Sequence, residues 1–236
     1  MMNTTKPITA PTVALFDLDH TLIPGDSDHG WGSFLVDRGY VDHAFYESKN
    51  DYFYGQYKAG TLNIYEYCEF SFKVLADNDL MTLNEWRDEY MATIIAPMIR
   101  PQAVALVKKH RDAGHLCALV TATNDFVTAP IAKALGFDTL IATQAEMVAG
   151  RYTGKVAGTP NFQSGKIINV NAWLEGLGLS LDTVAASYFY SDSINDLPLL
   201  EQATFPVVIH PDERLAQEAK KRHWPFIELF HSEYAA

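Results

Sequence analysis

Thr12-Val13-Ala14-Leu15-Phe16-Asp17-Leu18-Asp19-His20-Thr21-Leu22 is the stretch whose reading decides the fold. Five apolar, β-prone residues run into two carboxylates and then Pro24-Gly25. That pattern predicts a buried strand carrying Asp17 and Asp19 at its C-terminal end. Carboxylates one residue apart repel unless a cation lies between them or one is protonated. The plainer alternative is a loop with two solvated aspartates.

Similar apolar runs follow at 116–120, 139–142, 184–190 and 205–209, the second being the weakest. Helical patterns lie between them at 101–112, 125–135, 166–176, 196–201 and 212–222. Strand alternating with helix predicts an α/β fold, a Rossmann-like parallel sheet covered on both faces. Residues 27–97 break the rhythm with helical periodicity rich in Tyr and Phe, and with turn signals at Arg38-Gly39, Ala59-Gly60-Thr61 and Asp77-Asn78-Asp79. This predicts a helical cap (24–97) inserted after the first strand of a core formed by 1–23 and 98–236. Ligands of open α/β sheets bind at the C-terminal strand ends, so a cap there would act as a lid. The segment 146–161, with Gly150, Gly154, Gly158 and Pro160, reads as a hairpin or loop excursion.

A second acid pair, Asp192-Ser193-Ile194-Asn195-Asp196, again follows an apolar run. Asp192 as a helix N-cap would explain it structurally. Two acid pairs at two strand ends also fit Mg²⁺, which prefers oxygen ligands and keeps several waters. The run at 116–120 ends in Thr121-Ala122-Thr123-Asn124, either an anion cradle at a helix start or a plain N-cap by Thr123 or Asn124. Lys166 opens a helix and, taken alone, reads as a solvated surface charge.

The ordered set Asp17-x-Asp19-x-Thr21, Thr121, Lys166 and Asp192-x-x-x-Asp196 resembles the haloacid dehalogenase-like phosphohydrolase superfamily. The helical insertion directly after the first motif resembles its phosphoserine-phosphatase-like branch. The resemblance implies that Asp17 attacks phosphorus to form an aspartyl-phosphate, and that Asp19 protonates the leaving alcohol and then activates water. It implies Mg²⁺ held by Asp17, the backbone carbonyl of Asp19 and Asp192, with Asp196 on a metal-bound water or steadying Lys166. Thr121 and the Ala122 N–H would hold phosphate oxygens, Lys166 would neutralise them, and Asn195 would bond nearby. Anionic attack on an anionic ester needs such compensation. The chain departs from the branch at Ala122, Thr123, Ser191 and Ser193, which stand where glycines are common and are expected to crowd the phosphate pocket.

Asp26 occupies the position where the phosphoserine enzymes carry a Glu for the substrate ammonium, which implies a cationic substrate group. The structural alternative is a helix start capped by Ser27 or Asp28. A phosphoserine site also needs a cation for the substrate carboxylate. Arg38, Arg87, Lys49, Lys58 and Lys73 are the candidates within the cap, none with a clear placement. The cap aromatics read mainly as packing core, with some available to stack on a ring or enclose an amine. An amine, a ring and a phosphate monoester describe histidinol phosphate, which ranks ahead of phosphoserine. A phosphotransferase and a non-catalytic phosphometabolite-binding protein are the rivals.

Composition narrows the partners. The 236 residues carry 18 basic and 29 acidic side chains, a net charge of −11, with no basic footprint for nucleic acid. Cys68 and Cys117 stand far apart and suggest no disulfide framework. His20 and His29 lack the spacing of a transition-metal site. The polar N-terminus has no apolar core and no run reaches membrane-spanning length, so a soluble cytoplasmic protein acting on a small phosphate ester is expected.

Overall fold

The computed structural model describes residues 10–230. The polar N-terminal stretch and the outermost ends of the expected core lie outside the described residues. Seven strands form one sheet in the order β4-β3-β2-β1-β5-β6-β7. β1 (Thr12–Phe16) lies centrally between β2 (Leu116–Asn124) and β5 (Ala186–Ser191), parallel to both. β3 (Thr139–Val148) joins β2, and β6 (Phe205–Ile209) and β7 (Phe226–Ile227) extend the other side, all parallel. Only β4 (Arg151–Ala157) is antiparallel, closing a hairpin on β3. The segment read as a hairpin or loop is therefore mostly strand.

The period of two along β1 divides the core. Ala14 and Phe16 pack to one face with α6 (Pro101–Asp112) and α7 (Asp125–Leu135). Val13 and Leu15 pack to the other with α8 (Ser164–Gly176), α9 (Leu197–Leu200) and α10 (Glu213–Arg222). Both faces are covered, as a parallel sheet requires.

Between β1 and α6 stand the helices of the cap: α1 (Ser27–Asp37), α2 (His43–Ala59), α3 (Ile64–Asp77) and α4 (Leu80–Tyr90). Their N-caps are Asp26, Asp42, Asn63 and Asp79, each accepting backbone N–H bonds. Gly60 ends α2 at φ 72°, a left-handed stop that glycine adopts without strain. α4 runs on through a π turn (Met91–Ile95) into the short α5 (Ala96–Met98). Pro97, which has no N–H to donate, lies just past that turn. Trp31, Phe34 and Tyr90 share one apolar cluster with Phe16 and Phe126, so the base of the cap is continuous with the core. Among the described residues no single helix is long and apolar enough to cross a membrane.

Candidate active site

β1 ends at Phe16, and the Asp17 N–H still donates to the Tyr190 carbonyl of β5 at 2.9 Å. That bond extends the strand pairing by one residue and fixes Asp17 at the C-terminal edge of the sheet. Lys166 reaches it from the first turn of α8: its Nζ lies 2.8 Å from Asp17 Oδ1 and 2.8 Å from Asp196 Oδ2. Lys166 is 2% exposed, so it is a buried counter-ion and not a solvated charge. Its approach depends on a tight loop. Gln163 has φ +49°, and a Cβ at Gly165 would run into the Pro160 carbonyl, so only glycine fits before Lys166.

Asp192 joins the group through Thr21, whose Oγ1 is 3.2 Å from both Asp17 Oδ2 and Asp192 Oδ1. Ser191 Oγ donates to Asp196 Oδ2 at 2.7 Å. The expected alternative role of Asp192 as a helix cap is not used. Ser193 caps the short turn Ile194–Asp196, accepting the Asn195 N–H. Asn195 donates to the Tyr57 carbonyl of the cap at 3.3 Å and accepts from Gln163 at 3.3 Å.

β2 does not stop at residue 120. It continues to Asn124 through a register shift against β3 between Val120 and Asn124. Thr121 thus lies inside the strand, fully buried, with its Oγ1 accepting the Thr123 N–H at 3.2 Å. Asn124, not Thr123, caps α7. Asp26, not Ser27 or Asp28, caps α1: its Oδ1 takes the N–H groups of Asp28 at 2.9 Å and His29 at 2.8 Å.

Asp19 Oδ1 accepts the Ser27 N–H at 2.6 Å and its Oδ2 accepts the Thr123 hydroxyl at 2.9 Å. Burial, then the charges of Asp26 and Asp17, raise its pKa well above the usual carboxylate range. The same causes act on Asp192, with burial leading and Asp17 and Asp196 adding. Asp196 is pushed to about 6 by burial, against the pull of Lys166. Burial alone would lower the Lys166 pKa, but the charges of Asp17 and Asp196 outweigh it and raise the value.

Asp17, Asp19, Asp26, Ala122 and Thr123 line a cavity closed by Asp28, Asn50, Phe53, Tyr54, Tyr57 and Tyr67 of the cap. Lys166, Asp192, Asp196, Asn195 and Thr121 are buried and do not line it. Tyr57 reaches in from α2, and its hydroxyl holds its proton more firmly than usual through burial and the charges of Asp192, Asp17 and Asp196. Sequence reasoning missed the roles of Thr123, Ser191 and Tyr57. Thr123 and Ser191 stood out only as unusual substitutions for glycine, and Tyr57 was one aromatic among many.

Among the described residues no three Asp, Glu, His or Cys side chains converge as a ready-made metal cage. The donor set is nonetheless all oxygen. Two buried carboxylates, Asp17 and Asp192, share one hydroxyl, and burial with like charge disfavours ionisation of Asp192. A hard divalent cation that keeps several waters needs no more side chains than these two, and it would relieve their repulsion.

The haloacid dehalogenase-like hydrolase family matches residues 14–201, a span that holds Asp17, Lys166, Asp192 and Asp196, and the chain belongs to that family. It is similar to a histidinol-phosphatase of Neisseria meningitidis, 42% identical over 92% of this chain and 98% of the relative. It is also similar to the phosphoserine phosphatase SerB1 of Mycobacterium tuberculosis, 34% identical over 92% of this chain and 71% of that protein. A solved Bordetella pertussis protein of unknown function shares 48% identity at a TM-score of 0.89, covering 94% of this chain and all of the other. The chain is a phosphoric monoester hydrolase of this family.

Proposed function

We propose that the enzyme hydrolyses histidinol phosphate in the cytoplasm, with Asp17 as nucleophile and Asp19 as general acid and base. The observation that carries this reading is the Lys166 ammonium, 2.8 Å from both Asp17 and Asp196 at the edge of the sheet. It supplies fixed positive charge where an anionic ester must approach an anionic nucleophile. Asp17 attacks phosphorus and the P–O bond to the alcohol breaks, leaving an aspartyl-phosphate on Asp17. The electron pair goes to the alcohol oxygen, which takes the Asp19 proton. Water then attacks the phosphoryl group, Asp19 takes its proton, and phosphate leaves with Asp17 restored. A raised proton affinity suits Asp19 to hold the proton that the alcohol needs.

Asp17, the Asp19 carbonyl and Asp192 would hold Mg²⁺, with Asp196 fixing Lys166. When bound, Mg²⁺ would offset charge on the phosphoryl oxygens. Thr121, the Ala122 N–H and Asn195 are assigned to the phosphoryl oxygens. Residues 24–97 act as the cap over a core of 1–23 and 98–236. The cavity between cap and core, with Asp17 and Asp19 on one side and residues of α2 and α3 on the other, is where the ester would be held.

The cap side favours an amine ester without a carboxylate over phosphoserine. Asp26 and Asp28 line the cavity, and among its described lining residues there is no Lys or Arg to receive a substrate carboxylate. Phosphate release with Mg²⁺ from histidinol phosphate, phosphoserine and sugar phosphates tests this. Histidinol phosphate should lead by at least about tenfold in kcat/KM, the scale of one ion pair against the sugar phosphates and of one unpaired carboxylate against phosphoserine. Equal turnover of sugar phosphates would sink the amine reading, and transfer to added alcohols in place of water would reassign the enzyme as a phosphotransferase.

A further inference from the structure

Phosphoryl transfer leaves one carboxylate of the cavity unexplained. Asp28 stands in the first turn of α1, directly after the capping Asp26 and Ser27. An acid at that position is ordinarily a solvated surface residue favoured by the helix dipole. Asp28 instead faces the cavity beneath α2 and α3, which contribute Asn50, Phe53, Tyr54, Ile64 and Tyr67 to the same walls. Its hydrogen-bond partner is the Asn124 amide, at a long 3.4 Å, and the Tyr67 hydroxyl lies near enough to favour its charged form. Among the ion pairs of the described residues none involves Asp28, and no positive charge is among the causes of its raised pKa. Burial, then the neighbouring charge of Asp26, push its pKa to about 7. Asp28 thus lines the cavity with no cation paired to it among the described residues, a place that a cationic group of a ligand would fill.

Asp26 is the less available of the two. Its Oδ1 is engaged by two backbone N–H groups that begin the helix, whereas Asp28 accepts no backbone bond. We infer that Asp28 is the residue that selects the substrate, its carboxylate receiving the cationic nitrogen of the ester's alcohol portion beside the Tyr67 hydroxyl and the Phe53 and Tyr54 rings. This deepens the amine-ester reading and rests on it. The carboxylate offers a charge-assisted bond, and neighbouring aromatic rings stabilise a desolvated cation. The phosphoryl end meets Asp17 and Asp19 in the same cavity, so one small molecule spans both groups.

The test compares 4-aminobutyl phosphate with butyl phosphate, esters alike in length that differ in one cation, on the full chain with Mg²⁺. Wild type should prefer the cationic ester by about tenfold or more in kcat/KM. Asp28→Asn should abolish that preference, a loss of about tenfold in kcat/KM taken through KM for the cationic ester, as expected when a paired charge is neutralised. Its Tm should hold or rise, because the substitution removes a charge the fold disfavours. An equal loss on both esters, or a lowered Tm, would assign Asp28 to structure instead. A preference that survives Asp28→Asn but vanishes in Asp26→Asn would overturn the assignment in favour of Asp26. If wild type shows no preference, the amine-ester reading fails and the Asp28 assignment falls with it. Should Asp28→Asn not fold, Asp28→Ser gives the same comparison.

Discussion

On the strand side of the cavity, Asp17, Asp192 and Asp196 share one ammonium and two hydroxyls, those of Thr21 and Ser191. On the helix side, Asp26 accepts two backbone N–H groups and Asp28 one amide, with no ion pair to either among the described residues. The first group is compensated in part by Lys166, which already holds Asp17 and Asp196 in place, and what remains is the excess charge that a divalent cation would offset. The second is incomplete by one positive charge. The carboxylates are buried on the strand side and partly buried on the helix side, and among the described residues only the strand side carries a counter-charge of its own. The reaction belongs where compensation is built in, and selectivity belongs where it is missing.

The sharpest break is Asp17→Asn. It keeps the shape of the strand side and leaves Lys166 paired with Asp196, so the fold should persist. Phosphate release should fall by about ten-thousandfold or more, the scale of losing a nucleophile. A variant retaining a tenth of the activity would end the covalent assignment. Lys166→Met comes next. It strands Asp17 and Asp196 without their cation, which should cost about 3–5 kcal/mol in urea unfolding at pH 7. The loss should shrink at pH 5, as Asp196, whose pKa stands at about 6, takes up a proton. A loss under about 1 kcal/mol would mean that the ammonium does not hold this side together.

The smallest effect is a pH slope. The folded pKa of Asp28, about 7, exceeds its ordinary value of 3.8. Between those values the folded chain binds a proton that the unfolded chain has lost. This contribution to stability is therefore full below about pH 4 and is lost as pH rises through about 7, at no more than about 1.4 kcal/mol per unit. Melting curves of wild type and Asp28→Asn from pH 5 to 8 should diverge, with the variant gaining as pH rises. A constant gap would show that Asp28 is not the strained acid.

Much of this contrast was legible in the residues. Apolar runs stopping at acids located β1, β5 and the strand side of the cavity, because a buried strand must change character where it meets solvent. The breaks at Gly39, Gly60 and Asn78-Asp79 matched the ends of α1, α2 and α3, since helix stops rest on local backbone chemistry. The extension of β2 to Asn124 was not legible, because a register shift depends on its partner strand. β7 has only two residues and leaves no periodic trace. The helix side was the least legible. Asp26 and Asp28 are both plausible caps by local rules, and only the packing of α2 and α3 over α1 separates a capping acid from one that faces the cavity.

The cap is fastened largely through carbonyl oxygens of the main chain. Asn195 holds the carbonyl of Tyr57 and Arg214 that of Ala59, while Arg87 reaches from the cap to the carbonyl of Phe126. Such acceptors are present whatever amino acid occupies the position. Positions 57 and 59 can therefore drift through evolution without detaching the roof. A descendant enzyme is free to rebuild its ceiling for a new ester while inheriting the same clasp.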